Sequence, residues 1–153
     1  MSEKWVPMVP AATLSVWVFA LIMICLIAIM GVFGWFLYWS KHSRFSIESG
    51  KLVIDAGFYS RQIELKDIVP DTIGLVSFEH APALRPTLRI NGIGLPGYKA
   101  GWYRVASGEK ALLHMTSQDS MLGFKTRQEY WVILSIAQAE AFALKLQQQL
   151  TKG

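Results

Sequence analysis

The sequence is poor in cysteine and poor in charge. Cys25 is its one cysteine, which excludes a disulfide framework and any zinc site built on cysteine. Charged residues make up only 17% of the 153, against about 25% in an ordinary soluble domain. The three histidines, His42, His80 and His114, stand far apart, without the i, i+4 spacing and carboxylate that zinc sites use. There is no G-x-S-x-G nucleophile elbow and no Walker-type phosphate loop, and the carboxylates are scattered. We therefore expect no catalytic residue, no metal and no cofactor. A hydrophobic content of 52% with a mean hydropathy of +0.32 excludes a disordered chain, which needs low hydrophobicity and high net charge.

What is abundant is concentrated. Residues 14–39 contain no charge at all, and 26 residues of helix reach about 39 Å, more than the roughly 30 Å of bilayer hydrocarbon. Their fourteen Leu, Ile, Val and Phe residues sum to about −6 kcal/mol on the insertion scale, as an upper bound. A secretory signal has a shorter apolar region followed by small residues, whereas this run ends in Trp35, Phe36, Leu37, Tyr38 and Trp39. A retained single-pass helix is the expectation. Trp39, Lys41 and Arg44 form an aromatic and basic membrane-interface anchor. By about one charge, the positive-inside rule then favours a cytoplasmic C-terminal part at a bacterial inner membrane. Gly31, Gly34 and Ala28 lack true Gly-xxx-Gly spacing and read as lipid-facing filler, and Cys25 as a small hydrophobe.

After a tail over 1–13, the span over 14–39 and a linker over 40–43, residues 44–150 have single-domain size and 151–153 form a short tail. Short strand runs dominate. Residues 45–48 and 51–55 flank a Ser49-Gly50 hairpin turn, and runs at 58–65, 73–80, 87–91, 102–106, 111–116, 121–126 and 130–134 follow at hairpin spacing. Such spacing predicts an antiparallel barrel or sandwich. At the end, Ser135 and Gln138 fit a capping box, and Ala139, Phe142, Ala143, Leu146 and Leu150 recur at helical spacing. The fold class is mainly β with α: one transmembrane helix, then a partly open antiparallel barrel of seven to nine strands closed by one amphipathic C-terminal helix.

The segment from Arg89 to Arg104, with Asn91, Gly92, Gly97 and Gly101 at its centre, resembles the glycine-rich core motif of a bacterial pleckstrin-homology-like (PH-like) family. Ser60-Arg61-Gln62-Ile63 followed by Leu65-Lys66-Asp67-Ile68, and Leu134-Ser135 before a Phe-containing helix, are similar to that family too. The resemblance covers about residues 44–150. It implies a non-catalytic binding or scaffolding module of the kind that membrane helices anchor. Eukaryotic phosphoinositide-binding relatives carry several Lys and Arg on a long first hairpin loop, and here only Ser49-Gly50 with Lys51 stands there.

Gly92-Ile-Gly94-Leu-Pro-Gly97 matches GxGxxG literally, but Tyr-Lys-Ala-Gly-Trp after it does not read as the helix whose N–H groups cradle a pyrophosphate. A long glycine loop between strands is the expectation. Charge is more informative. Residues 81–110 hold Arg85, Arg89, Lys99, Arg104 and Lys110 against Glu109, a net +4 that equals the excess of the whole chain. With Tyr98 and Trp102 interleaved, this window is the candidate binding patch. Strand alternation turns some of its aromatics inward. The leading expectation is a protein partner or self-association beside the membrane; the alternative is anionic lipid head-group binding by residues 81–110, and nucleic acid is not expected.

Overall fold

The computed structural model describes residues 13–41 and 43–152. The chain divides into two compact units, one ending at Tyr38 and one beginning at Trp39.

The first unit is a helix, α1, Thr13–Lys41. Apolar side chains lie all around it, so no stripe singles out a core-facing side. Ser15–Tyr38, 24 residues with a mean hydropathy of 2.9 and none of it buried, is long and apolar enough to cross a membrane. His42 and the side chains of Trp39 and Lys41 lie outside the described residues; Arg44 is exposed.

The second unit opens with β1, Arg44–Glu48, and β2, Lys51–Asp55. They join through Ser49 and Gly50 at φ +50° and +73°, the left-handed pair that a type I′ turn needs. A third strand, β3 (Arg61–Glu64), completes a sheet in the order β1-β2-β3. The strand expected from residue 58 starts late, because Gly57–Tyr59 is a 3₁₀ turn. There Gly57 takes φ +64° and the Ala56 N–H donates to Ser60 Oγ at 3.0 Å.

Six further strands form a second sheet. They are β4 (Gly74–Val76), β5 (Pro86–Leu95), β6 (Tyr98–Val105), β7 (Lys110–Met115), β8 (Met121–Lys125) and β9 (Tyr130–Ser135), followed by helix α2 (Ala139–Lys152). Their order is β4-β8-β9-β7-β6-β5. Among the described residues the architecture is mainly β with two helices, and nine strands is the upper end of the expected range.

The details differ from a simple meander in three places. First, β9 runs parallel to β7, while every other named strand pair is antiparallel. Residues 116–120 carry the chain two strand positions beyond β7, and the β8–β9 hairpin brings β9 back into the gap. Turn spacing is the same whether a strand pairs with its predecessor or skips a place, so the skip leaves no local mark. Second, the strand expected over 73–80 ends at Val76. Ala81 N–H donates to the Ser77 carbonyl at 2.7 Å and a 3₁₀ turn follows at Pro82–Leu84. Third, the capping box does not form. Ser135 Oγ accepts the N–H groups of Thr116 and Ser117 and donates to the Ser117 carbonyl at 2.6 Å, tying β9 to the loop after β7. The helix starts four residues later, where Phe142 N–H donates to the Gln138 carbonyl.

Both faces of the six-stranded sheet are covered. On the inner face, Leu52, Ile54 and Ile63 of the small sheet and Ala139, Ala143 and Leu146 of α2 pack on Leu112, Leu122, Phe124, Val132 and Leu134. Fully burying one leucine such as Leu146 contributes about 2–3 kcal/mol. The apolar stripe of α2 is thus the buried one, with Phe142 and Leu150 at its margin. On the outer face, Phe78 and Leu84 from the irregular segment cover Tyr103, Val105, Leu113, Met115 and Ile133. Neither layer leaves β5 enclosed.

Candidate functional site

The glycine-rich motif lies in a β-hairpin, not in the long loop that its composition suggests. β5 runs to Leu95, Pro96-Gly97 makes the turn with Gly97 at φ +74°, and Tyr98 begins β6. Pro at the first and a left-handed Gly at the second central position suit a type II turn. Gly92 and Gly101 are direct cross-strand partners. A Cβ on Gly101 lies 2.5 Å from the Asn91 carbonyl oxygen, and one on Gly92 collides with the Ala100 carbonyl oxygen. Gly94 stands under the Tyr103 hydroxyl, which donates to the Ile93 carbonyl at 2.6 Å. Burial raises the Tyr103 pKa, although Arg89 opposes it, and keeps the phenol a neutral donor. The glycines let two backbones and one ring approach closely. Among the described residues no helix follows them to hold a phosphate.

Strand alternation divides the basic window between two faces. Trp102 belongs to the inner face, so by alternation Tyr98 and Arg104 do too, and Lys110 stands opposite Arg104. Tyr103 belongs to the outer face, where Arg89 approaches it and Lys99 pairs with Met115. Arg85 follows the 3₁₀ turn that covers this outer face. Arg104 donates to the Gly108 carbonyl at 3.0 Å. The structure therefore brings Trp102 and Lys110 together with residues from outside the window and leaves Arg85, Arg89 and Lys99 on the other side.

What it assembles is a stack. Arg61 of β3 lies over the Trp102 ring at 5.3 Å and the Tyr130 ring at 5.8 Å, and these two rings meet edge to face at 5.1 Å. Arg61, Ile90, Trp102, Lys110, Glu129 and Tyr130 line one open depression of about 420 Å³. Among the described residues neither Arg61 nor Lys110 makes an ion pair. Lys110 is free because its neighbour Glu109 points to the other face. There Glu109 binds Lys125 Nζ at 2.5 Å, Trp131 Nε1 at 3.0 Å and Ser107 Oγ at 3.1 Å. Those contacts, Lys125 first, hold its carboxyl below the usual carboxylate range. Arg61 and Tyr130 were not among the residues expected from the sequence. The available signal was parity: Arg61 shares its strand face with Ile63, which points into the core.

A second buried polar group sits farther along the inner face. His114 is only 4% exposed, its Nε2 lies 3.2 Å from the Tyr59 carbonyl, and its Nδ1 has no partner. Because a carbonyl only accepts, Nε2 carries the proton. Burial pushes its pKa down to about 4. His80 lies in the turn after β4, and among the described residues no three His, Cys, Asp or Glu side chains group as metal ligands.

A profile of the family described as "Bacterial PH domain" matches residues 43–150. The chain belongs to the bacterial PH domain family. Among curated proteins and solved structures nothing matches it at a significant level. In this PH domain the first hairpin has only Ser49 and Gly50 as its loop, and Lys51 stands across from Glu48. Instead, β3 and β7 present the cations Arg61 and Lys110 beside Trp102 of β6. With the apolar helix before it, the PH domain fits a membrane-anchored module.

Proposed function

We propose that the chain is a non-catalytic interaction module, a PH domain held at the bacterial inner membrane by one helix and docking a protein along strand β5. The observation that carries the reading is the state of that strand. β5 is the last strand of its sheet, ten residues long, with Leu88 59% and Ile90 46% exposed. An open edge of this length invites pairing with another chain, and soluble proteins usually blunt it with charge. Irregular register at Pro86/Leu88 and Arg89/Asn91 leaves Asn91–Leu95 as the evenly paired part. Two residues, His42 and Ser43, join α1 to β1, a tether that favours partners which are themselves at the membrane. The alternative, one head-group surface made of residues 81–110, has less support because strand alternation splits that window.

A photo-reactive residue placed at Leu88 of the full chain in cells tests the proposal. A discrete protein adduct is expected, and none from Leu144, which is 55% exposed on α2. Absence of any adduct at Leu88 defeats the reading. A reporter fused after Gly153 is expected to show cytoplasmic activity, and a periplasmic signal overturns the orientation.

A further inference from the structure

We infer that the depression over the Arg61, Trp102 and Tyr130 stack seats a carboxylate from the partner segment that docks along β5. The inference rests on the interaction reading above and adds the partner's chemistry: an extended protein segment carrying Asp or Glu beside apolar residues.

Three observations converge. The Arg61 guanidinium carbon lies 5.3 Å from the Trp102 ring centre and 5.8 Å from the Tyr130 ring centre, and among the described residues its N–H groups make no ion pair. A planar fork held in place matches a carboxylate with two parallel hydrogen bonds and loses little freedom on binding. Lys110 lines the same depression and is unpaired, since Glu109 is committed to Lys125 and Trp131 on the opposite face. Third, Ile90 belongs both to the exposed β5 edge and to the wall of the depression, so a chain lying along β5 passes beside the cations.

Charge selects among anions. Glu129 also lines the depression and reduces the charge of its wall from +2 to +1. A monoanionic carboxylate matches that balance, whereas a phosphate near −2 meets repulsion from Glu129.

The test uses the full chain in cells, with the photo-reactive residue at Leu88 and the attachment point read by mass spectrometry. The crosslinked peptide is expected to carry Asp or Glu within a few residues of the attachment point. Adduct yield is expected to fall about tenfold in the Arg61→Gln, Lys110→Gln double variant and several-fold in Arg61→Lys, which keeps the charge but loses the fork. Lys110→Gln alone, at an exposed position, keeps the test decisive if the Arg61 variants do not fold. An adduct whose yield ignores Lys110 and Arg61, a crosslinked peptide without an acidic residue, or an adduct to phospholipid overturns the inference while leaving a β5 contact in place. No adduct from Leu88 defeats the interaction reading itself.

Discussion

Replacing Gly101 by alanine places a methyl group between the Asn91 carbonyl and the Gly92 backbone, at a φ of +107° that side chains rarely adopt. Strain and collision act together, and the expected cost is about 3 kcal/mol or more, read as a fall in the denaturant midpoint of the detergent-solubilised chain. Gly97→Ala meets no atom nearby, so it carries only the strain of φ +74° and is the milder of the two. His114 gives a pH signature. Its folded pKa of about 4 lies below the unfolded value near 6.5, so between these the unfolded chain binds more protons and stability rises with pH. The contribution is complete above about pH 6.5 and is lost as the pH falls toward 4, by about 3 kcal/mol in all. His114→Leu is expected to remove that part of the slope between pH 4.5 and 7.5. An equal slope in both proteins refutes the assignment.

Among the elements, α2 and β5 make opposite use of their leucines. Leu146 is fully buried against the inner sheet face, and Leu146→Ala is expected to cost about 2–5 kcal/mol by thermal or denaturant unfolding. Leu88→Lys on the open edge is expected to change stability by less than about 0.5 kcal/mol while abolishing the Leu88-face contact. The α2 stripe and the Ser49-Gly50 hairpin were legible in the sequence because helical period and turn chemistry are written in adjacent residues. The capping box misled for the same reason. Ser135 has the right neighbours for a cap, but its hydroxyl is taken by Thr116 and Ser117, close in space and distant in sequence. The β5–β6 hairpin escaped recognition because its glycines, usual in loops, serve here to bring two strands together.

For the whole molecule, α1 and the PH domain were readable from composition and motif, and the sheet order was not. The skip that makes β7 and β9 parallel has no local signal, and the Arg61 stack joins residues 61, 102 and 130, which only the fold brings together. Anchoring can be tested on α1 directly. One arginine at a span centre costs about 2.5–3.5 kcal/mol, so Ile24→Arg with Ile27→Arg together offset the roughly 6 kcal/mol that favours insertion. The double variant is expected to leave the membrane fraction on alkaline extraction, and the single variants to stay. The parallel pair also sets an order on synthesis. β7 leaves the ribosome with one side unmatched, and the strand that fills it ends twenty residues later, at Ser135. At ~5–20 residues per second that gap lasts about one to four seconds. For that interval a nascent chain presents a bare strand that must be kept from its neighbours, and any truncation before β9 makes the interval permanent.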